Sequence, residues 1–302
     1  MASFPLAIRL PKFQPQLVLK GLAIATAGVG LVIVLAYIWL LQFSPLALLH
    51  RSAQSSDILR LAPRQSVMAA ALNVPLTDLE RLQRYLTPLT KRRSVHQRWQ
   101  NWLTADGNGP LSDFLSATQL DFGRDIQPWL GPESLIAIAT LAPEQPDYFV
   151  ALATDNVDSS NVMLNLLWRQ QYLQQQTSQI ELYKGVQLLS VPVAERMWVV
   201  AALGDRYTIF ATGLDIAREA IDSWQVDELS LASTNDYRAA ISATGTSQLG
   251  MVYSNLPTHT SELNLWDRSL DTWGAMSGSP TWIGIGLDGD RLAPVRFAAV
   301  ER

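Results

Sequence analysis

Residues 197–213, MWVVAALGDRYTIFATG, hold two apolar runs on either side of Gly204-Asp205. Valine, isoleucine, tyrosine and phenylalanine favour strands, and a glycine–aspartate pair between two such runs favours a tight turn. The stretch therefore predicts a β-hairpin. Residues 281–300, TWIGIGLDGDRLAPVRFAAV, predict a second hairpin across Asp288-Gly289. A calcium loop would need more spaced oxygen ligands and a closing glutamate, so a turn is the better interpretation of this aspartate–glycine pair.

A recurring unit surrounds these hairpins: an apolar strand, a polar turn and an amphipathic helix. Asn, Asp, Ser and Thr suit the turns because their side chains accept hydrogen bonds from the free N–H groups at a helix start. The unit occurs in SVMAAALNV to DLERLQRYL (66–86), DYFVALAT to NVMLNLLWRQQYLQQQ (147–176), RYTIFATG to IAREAIDSW (206–224), and QLGMVYSN (248–255) followed by a shorter helix near 263–270. This pattern predicts an α+β fold of antiparallel sheets with helices packed on one face.

An uncharged run, GLAIATAGVGLVIVLAYIWLLQF, occupies residues 21–43. As a helix it would be roughly 35 Å long, enough to cross a hydrocarbon core of about 30 Å. A cleaved signal peptide has a shorter apolar core and small residues at its cleavage site, whereas the nearest candidate site begins with Arg51. The run predicts an N-terminal transmembrane helix.

The domain organisation follows from this span. We expect a cytoplasmic tail at 1–20, the transmembrane helix at 21–43, a connector at 44–65 and an extracytoplasmic α+β domain at 66–302. Two sub-domains with a break near 178–184 are an open alternative. The orientation rests on Arg9, Lys12 and Lys20, because positive residues stay on the cytoplasmic side and no acid precedes Asp57. Arginines that follow the span closely weaken this bias.

Two features of the span indicate contacts. Gly21, Ala25 and Gly28 fall on one helical face, where small residues let another transmembrane helix approach closely. Simple tolerance of small residues in lipid is the open alternative. Trp39 suits the outer interface, where amphipathic rings settle.

The segment KRRSVHQRWQNWL (91–103) combines a basic start with an aromatic face. On a helix, Trp99 and Trp102 share one face with two aliphatic residues. The basic positions are Lys91, Arg92, Arg93 and Arg98. Basic residues beside a tryptophan-bearing face suit a helix at an anionic membrane surface or a partner. The alternative is that the tryptophans pack into the core and the basic residues form a solvated rim.

Charge divides the chain in two. Residues 1–100 contain 12 Lys/Arg and 3 Asp/Glu, whereas residues 101–302 contain 11 Lys/Arg and 24 Asp/Glu. An acidic distal body argues against nucleic acid as a partner, because phosphates would be repelled. Cysteine is absent from the sequence, which excludes disulfides, thiolate metal sites and a cysteine nucleophile.

Sequence motifs for chemistry are not found. His50, His96 and His259 are far apart in sequence, and no HExxH pair, G-x-S-x-G elbow or Walker loop occurs. Asp121 and Asp125 could in principle form an acid–base pair, but carboxylates in an acidic body are usually solvated. We therefore predict no catalytic residue, no metal ligand and no cofactor-binding residue.

Five stretches together carry a family resemblance: FSPLALL (43–49), LNVPLTDLERLQRYLTP (72–88), LDFGRDIQPWLG (120–131), YKGVQLLS (183–190) and LGDRYTIFAT (203–212). They resemble a cyanobacterial family of single-pass membrane proteins classed only as a domain of unknown function, and the resemblance spans about residues 21–256. It implies a cyanobacterial source and a domain in the periplasm or thylakoid lumen, and it brings no catalytic residues.

These observations lead to one expected function and two alternatives. We expect a non-enzymatic accessory or assembly protein that is tethered to the membrane and contacts lipid and an integral membrane complex, with a photosynthetic complex implied by the resemblance. The first alternative is a carrier for a lipid or hydrophobic pigment held between sheet and helices. The second is an extracytoplasmic hydrolase.

Overall fold

The computed structural model describes residues 57–86, 89–107, 109–140, 146–173, 179–244, 249–255, 281–288 and 291–299. Within this part of the chain, ten strands form one antiparallel sheet in the order β10-β9-β8-β1-β2-β3-β7-β6-β5-β4. The strands are Met68–Leu72 (β1), Leu130–Thr140 (β2), Asp147–Thr154 (β3), Gln179–Tyr183 (β4), Val186–Val193 (β5), Arg196–Leu203 (β6), Tyr207–Ala211 (β7), Gly250–Ser254 (β8), Thr281–Asp288 (β9) and Arg291–Ala299 (β10).

Six α-helices accompany the sheet in the described part of the chain. They are Leu76–Leu86 (α1), Arg92–Leu103 (α2), Ser112–Thr118 (α3), Val157–Leu173 (α4), Leu214–Gln225 (α5) and Asn235–Thr244 (α6). One turn of π-helix covers Phe122–Ile126, and short 3₁₀ turns cover Asp57–Leu61, Leu89–Lys91, Gln127–Trp129, Asp227–Leu229 and Leu231–Ser233. The predicted α+β class is therefore confirmed.

Both faces of the sheet are covered, which corrects the expectation that helices pack on one face only. In β3, Phe149 and Ala151 contribute to one core, whereas Val150 and Leu152 contribute to another. Successive side chains of a strand point to opposite faces, so a strand that is apolar at every position needs cover on both sides. The prediction failed because the apolar runs were treated as strands with one buried face.

The two cores recruit different helices. The first core contains the 3₁₀ turn at Asp57–Leu61, α5 and α6. The second core contains residues of α1, α3, α4 and the π-helical turn, with the tryptophans of α2 packed against it. Three of the predicted strand–turn–helix units are present as β1–α1, β3–α4 and β7–α5, but they distribute their helices over both faces. The predicted helix near 263–270 lies outside the described residues.

The predicted hairpins are confirmed in their strands. β6 pairs antiparallel with β7, with Leu203 opposite Tyr207, and Gly204 takes a positive φ of 56° in the turn. β9 pairs antiparallel with β10, with Asp288 opposite Arg291. The turn residues 289–290 lie outside the described part of the chain.

The folded domain begins earlier than the predicted connector allows. Ile58, Leu59 and Leu61 are fully buried in the first core. The serines and prolines around them suggested a linker, but these aliphatic side chains bury enough apolar surface to be part of the domain. The region near 178–184, where two sub-domains were an alternative, contains β4, which pairs with β5 in the same sheet.

A close contact between β8 and β1 makes Gly250 a test of this sheet order. Gly250 lies opposite Leu72, and a Cβ added at Gly250 would lie 2.3 Å from the carbonyl oxygen of Ala71. Because backbone atoms on both sides would have to shift, we expect Gly250→Ala to lower the free energy of unfolding by about 1–3 kcal/mol. Urea unfolding of the full chain, followed by tryptophan fluorescence, measures this loss.

Gly123→Ala is the matched control. An added Cβ there would have as its nearest atom the Asp121 carboxylate oxygen, at 3.3 Å, and Gly123 is exposed in helical backbone. We expect a change within about 0.5 kcal/mol. Equal effects of the two substitutions would contradict the pairing of β8 with β1.

Candidate functional site

The predicted contact residues of the folded domain lie on and just before α2. Lys91 ends the 3₁₀ turn at Leu89–Lys91, and α2 begins at Arg92. Arg93 belongs to the first helical turn and Arg98 lies about one and a half turns further on. We call the six residues of this segment the basic helix surface: Lys91, Arg92, Arg93, Arg98, Trp99 and Trp102.

The cations of the basic helix surface are mostly exposed. Lys91, Arg93 and Arg98 are exposed, and Arg92 is half-buried. The first turn of α2 contains no acidic residue, and no side chain caps its start. Since the N-terminal end of a helix carries partial positive charge, cations here are unfavourable unless an anion approaches them. The helix start therefore presents an unusual concentration of positive charge.

The tryptophans of this surface pack against the second core without being fully covered. Trp99 and Trp102 are both half-buried, and their ring centroids lie 5.8 Å apart in an edge-to-face arrangement. Edge-to-face pairs of this kind are favourable because the positive ring edge meets the negative ring face. The core-packing interpretation accounts for the covered part of each ring. Contact of the remaining ring surface with lipid or a partner stays a prediction.

A polar contact ties α2 to α1. His96 and Glu80 share a hydrogen bond of 2.8 Å between Nδ1 and Oε1. Ser94 donates a further hydrogen bond of 2.7 Å to the carbonyl oxygen of Lys91, which closes the first turn of α2. The basic helix surface is therefore held on a braced pair of helices.

The predicted contact residues of the span lie outside the described part of the chain. This applies to Gly21, Ala25, Gly28 and Trp39. Among the residues that the structure describes, no helix is both long and apolar enough to cross a bilayer. The same part of the chain contains no group of three or more His, Cys, Asp and Glu side chains arranged to hold a metal ion.

The motif LDFGRDIQPWLG forms a compact brace. The Asp121 carboxylate accepts a hydrogen bond of 2.8 Å from the backbone N–H of Arg124, and Asp125 accepts one of the same length from the N–H of Asp121. Arg124 also donates to both oxygens of Asp125, at 2.9 and 2.8 Å. The buried Trp129 donates from its indole N–H to the carbonyl oxygen of Asp125 at 2.7 Å. These carboxylates bind their own segment.

The motif LGDRYTIFAT connects the sheet to the start of the domain. The Tyr207 hydroxyl donates to Glu133 at 2.9 Å, and the same carboxylate accepts from the backbone N–H of Asp57 at 3.1 Å. Arg206 forms an ion pair of 3.1 Å with the Asp57 carboxylate. Burial, followed by the nearby charge of Glu133, raises the pKa of Tyr207 above its ordinary value. Tyr207 therefore remains a neutral hydrogen-bond donor.

The motif YKGVQLLS forms the hairpin between β4 and β5. Lys184 and Gly185 have φ angles of +47° and +84°. Positive φ at both central residues defines a type I′ turn, which matches the twist of antiparallel strands. The Tyr183 hydroxyl and the Lys184 ammonium both contact the Asp222 carboxylate of α5, at 3.1 and 2.7 Å. This hairpin is thus fastened to the helix beside it.

Sequence reasoning missed two exposed apolar features. The exposed fractions of Ile180 and Leu182 in β4 are 50% and 70%, and that of Val162 in α4 is 66%. The strand QIELY alternates polar and apolar residues, a pattern that does not distinguish a central from an edge strand, and the sheet order shows that it lies at an edge. In α4 the outward apolar residues were hidden in a helix that is apolar around much of its circumference.

The fold and the site define this molecule as an α+β sheet domain that carries a basic, tryptophan-bearing helix. The chain belongs to the family described as "Protein of unknown function (DUF3352)", whose model matches residues 22–273. No curated protein and no solved structure matches the chain. Membership of a family of unknown function is thereby confirmed, whereas the cyanobacterial source and the single transmembrane span stay predictions.

The brace around Asp125 predicts an acid-sensitive contribution to stability. The hydrogen bond from Arg124 is the main cause that lowers the pKa of Asp125 below its ordinary value of 3.8. The carboxylate therefore stabilises the fold at neutral pH, and this contribution is lost as the pH falls below about 4. We expect Asp125→Asn to cost about 1–2 kcal/mol at pH 7 and less at pH 3, measured by urea unfolding at each pH.

Asp205→Asn is the control, because Asp205 is exposed in the turn between β6 and β7. Its effect should be within about 0.5 kcal/mol at both pH values. A loss for Asp125→Asn that is equally large at pH 3 and pH 7 would contradict the ionic part of the brace.

Proposed function

We propose that this protein is a membrane-tethered, non-enzymatic accessory or assembly protein of a membrane complex, with a photosynthetic complex as the expected case in a cyanobacterial host. The span at 21–43 would hold the domain at the outer face of the plasma or thylakoid membrane. The observation that supports this function is the basic helix surface, which places exposed cations beside half-exposed tryptophans on one helix.

Charge and ring chemistry explain why this surface suits a membrane. Anionic headgroups would neutralise the exposed Lys91 and Arg93 at the helix start, where the helix dipole makes cations unfavourable. Tryptophan rings favour the boundary between headgroups and acyl chains, because one part of the ring is apolar and the indole N–H is polar. A domain seated in this way would present its remaining surface to a neighbouring membrane protein.

The family motifs support a scaffold role. In each of the three motifs analysed above, the polar side chains contact the backbone or side chains of the domain itself: Asp125 with Arg124, Glu133 with Tyr207, and Asp222 with Lys184. Such contacts fix the shape of a domain and leave it to act through its surface. The hydrolase alternative is weakened, because its candidate acid–base pair, Asp121 and Asp125, already binds Arg124.

The carrier alternative would need space between the sheet and the helices. On the second face, the Phe114 ring in that layer contacts the rings of Phe210 and Trp198 at centroid distances of 5.3 and 5.4 Å. These side chains are buried and fill the position where an apolar ligand would lie. The packed layer favours the accessory function over the carrier function.

Co-purification tests the proposal. From mild detergent, the tagged full chain should recover an integral membrane polypeptide in constant proportion, and the tagged partner should recover this chain in return. We expect the triple variant Lys91→Gln, Arg93→Gln, Arg98→Gln to reduce that recovery at least about tenfold, because each lost ion contact with membrane or partner weakens binding by about 1 kcal/mol. Quantitative mass spectrometry of the eluates gives the ratio.

The control variant removes the same number of charges elsewhere, as Arg64→Gln, Arg81→Gln, Arg169→Gln. All three arginines are exposed and none lies on the basic helix surface. This control should recover the partner as the unchanged protein does. Recovery of the lone chain from several detergents, or equal losses for the two triple variants, would refute the proposal.

Exchanging the span itself separates tethering from recognition. Replacing residues 21–43 with a polyleucine helix of equal length keeps the predicted tether and removes the small-residue face of Gly21, Ala25 and Gly28. If that face contacts the partner, the recovered amount should fall while membrane fractionation stays unchanged. Undiminished recovery would show that the span is only a tether.

A further inference from the structure

β4 is the last strand of the sheet, and the surface it forms is separate from the basic helix surface. β4 has β5 as its neighbour on one side and no strand of the described part of the chain on the other. Exposed sheet edges carry backbone groups that can pair with another strand, and natural edges are often protected by lysine, proline or a bulge. The strand reads QIELY and contains neither lysine nor proline. Its pairing with β5 is regular over all five residues.

The turn geometry determines which backbone groups face outward. Tyr183 and Val186 flank the two-residue type I′ turn, so they form a hydrogen-bonded pair. Backbone groups alternate in direction along a strand, so Gln179, Glu181 and Tyr183 bond toward β5. The N–H and C=O groups of Ile180 and Leu182 therefore point away from the sheet.

The same two residues also expose their side chains. Ile180 lies opposite Leu189 of β5, which belongs to the second core, so Ile180 and Leu182 extend that apolar face beyond the last covered strand. Half or more of each side chain is exposed. Ile180 and Leu182 thus each combine an exposed apolar side chain with backbone groups that point away from the sheet.

The edge is held in place before any contact is made. Arg218 of α5 donates to both oxygens of Glu181, at 2.7 and 2.8 Å, and its guanidinium lies 5.5 Å from the Tyr183 ring centroid. Asp222 contacts Tyr183 and Lys184, and Gln225 donates to the Lys184 carbonyl oxygen at 3.0 Å. A strand fixed in this way loses little conformational freedom on pairing.

We propose that β4 pairs antiparallel with β4 of a second copy of this chain, across a twofold axis at Glu181. In this register Ile180 of one copy lies opposite Leu182 of the other, and both residues use their outward N–H and C=O groups. The two pairs form four N–H···O=C hydrogen bonds and bring aliphatic side chains together on one face.

The charges at the axis fit a second copy. The two Glu181 side chains would meet on the opposite face of the sheet, and each brings its bound Arg218. Because each carboxylate is already paired with Arg218 of its own copy, the two ion pairs meet at the axis without an unpaired charge.

The contact is small, since five residues from each copy form it. It lies below the area of a typical stable interface, so the dimer forms reversibly and depends on concentration. A covalent trap is therefore the suitable test, and the absence of cysteine from the sequence makes an engineered one unambiguous.

Glu181→Cys and Leu182→Cys distinguish this register from random collision. The two copies of residue 181 form a non-hydrogen-bonded pair with Cα atoms about 4.5 Å apart, which a disulfide can bridge. The two copies of residue 182 are displaced along the strands, beyond the span of about 7 Å that a disulfide allows. In the full chain under mild oxidation, Glu181→Cys should form covalent dimer at least about tenfold faster than Leu182→Cys.

Random collision predicts the opposite order of the two rates, because Leu182 is more exposed than Glu181. Equal rates, or a faster rate for Leu182→Cys, would overturn the proposal. Since Glu181→Cys also removes the partner of Arg218, the double variant Ile180→Cys, Leu182→Cys provides a second trap that keeps Glu181. It should form dimers through the opposed pair of residues 180 and 182, identified by mass spectrometry of the linked peptides.

Sedimentation of the cysteine-free chain over a range of concentrations gives the reversible equilibrium. We expect Leu182→Lys to shift the dimer toward monomer by at least about tenfold in dissociation constant, because a lysine places charge at the apolar pair. Val162→Lys, at the exposed position on α4, should leave the equilibrium unchanged. A monomer at every concentration, or linkage of β4 only to a different polypeptide, would refute the pairing of two copies.

Discussion

The structure depends on central strands that are apolar on both faces. β7 is buried at every position, with Tyr207, Ile209 and Ala211 in the first core and Phe210 in the second. Burial of an aliphatic or aromatic side chain contributes about 1.5–3 kcal/mol, so neither face of such a strand can be left in water. Helices must therefore be divided between the two sides, and this division determines where each surface of the molecule lies.

Polar contacts join this double core at its margins. Glu133 of β2 binds both Tyr207 of β7 and the backbone of Asp57, so three segments that are distant in sequence meet at one carboxylate. The Trp224 ring packs edge to face on Tyr207 at 5.1 Å, and Arg60 and Arg206 lie near its faces. Because these contacts join Asp57 to β2 and to the β6–β7 hairpin, the first described residues of the domain are held against the sheet.

The local parts of this fold could be predicted from the sequence, whereas the long-range parts could not. The β6–β7 hairpin depends on a turn at Gly204 and on adjacent apolar runs, all within one stretch. The position of β1 between β2 and β8 depends on pairings with residues 130–140 and 250–254, and no local pattern encodes them. The assignment of each helix to a face of the sheet could not be predicted either. Periodicity reveals that a helix has an apolar side but not which face of the sheet covers it.

The candidate surfaces show the same limit. Helical spacing correctly placed Trp99 and Trp102 together. That they pack against the second core could be seen only in the structure. The apolar alternation of β4 was visible, but its meaning depended on sheet order, since the same residues in a central strand would be ordinary core. A surface made by a sheet edge is therefore a property of topology, and a surface made by a helix face can be read from periodicity.

The two surfaces differ in the physical basis of the contacts that they can make. In the proposed function the basic helix surface would act through charge, which is screened by salt within about 8–10 Å and favours a flat anionic boundary over a shaped pocket. The β4 edge acts through directional backbone hydrogen bonds and two apolar side chains, which demand a strand in one register. α5 braces β4 from the first face, whereas Ile180 and Leu182 project on the second, so the exposed edge keeps its form without a partner. An edge that folding alone would leave unprotected is thus rigid as well as open, and that combination is what a strand-pairing contact requires.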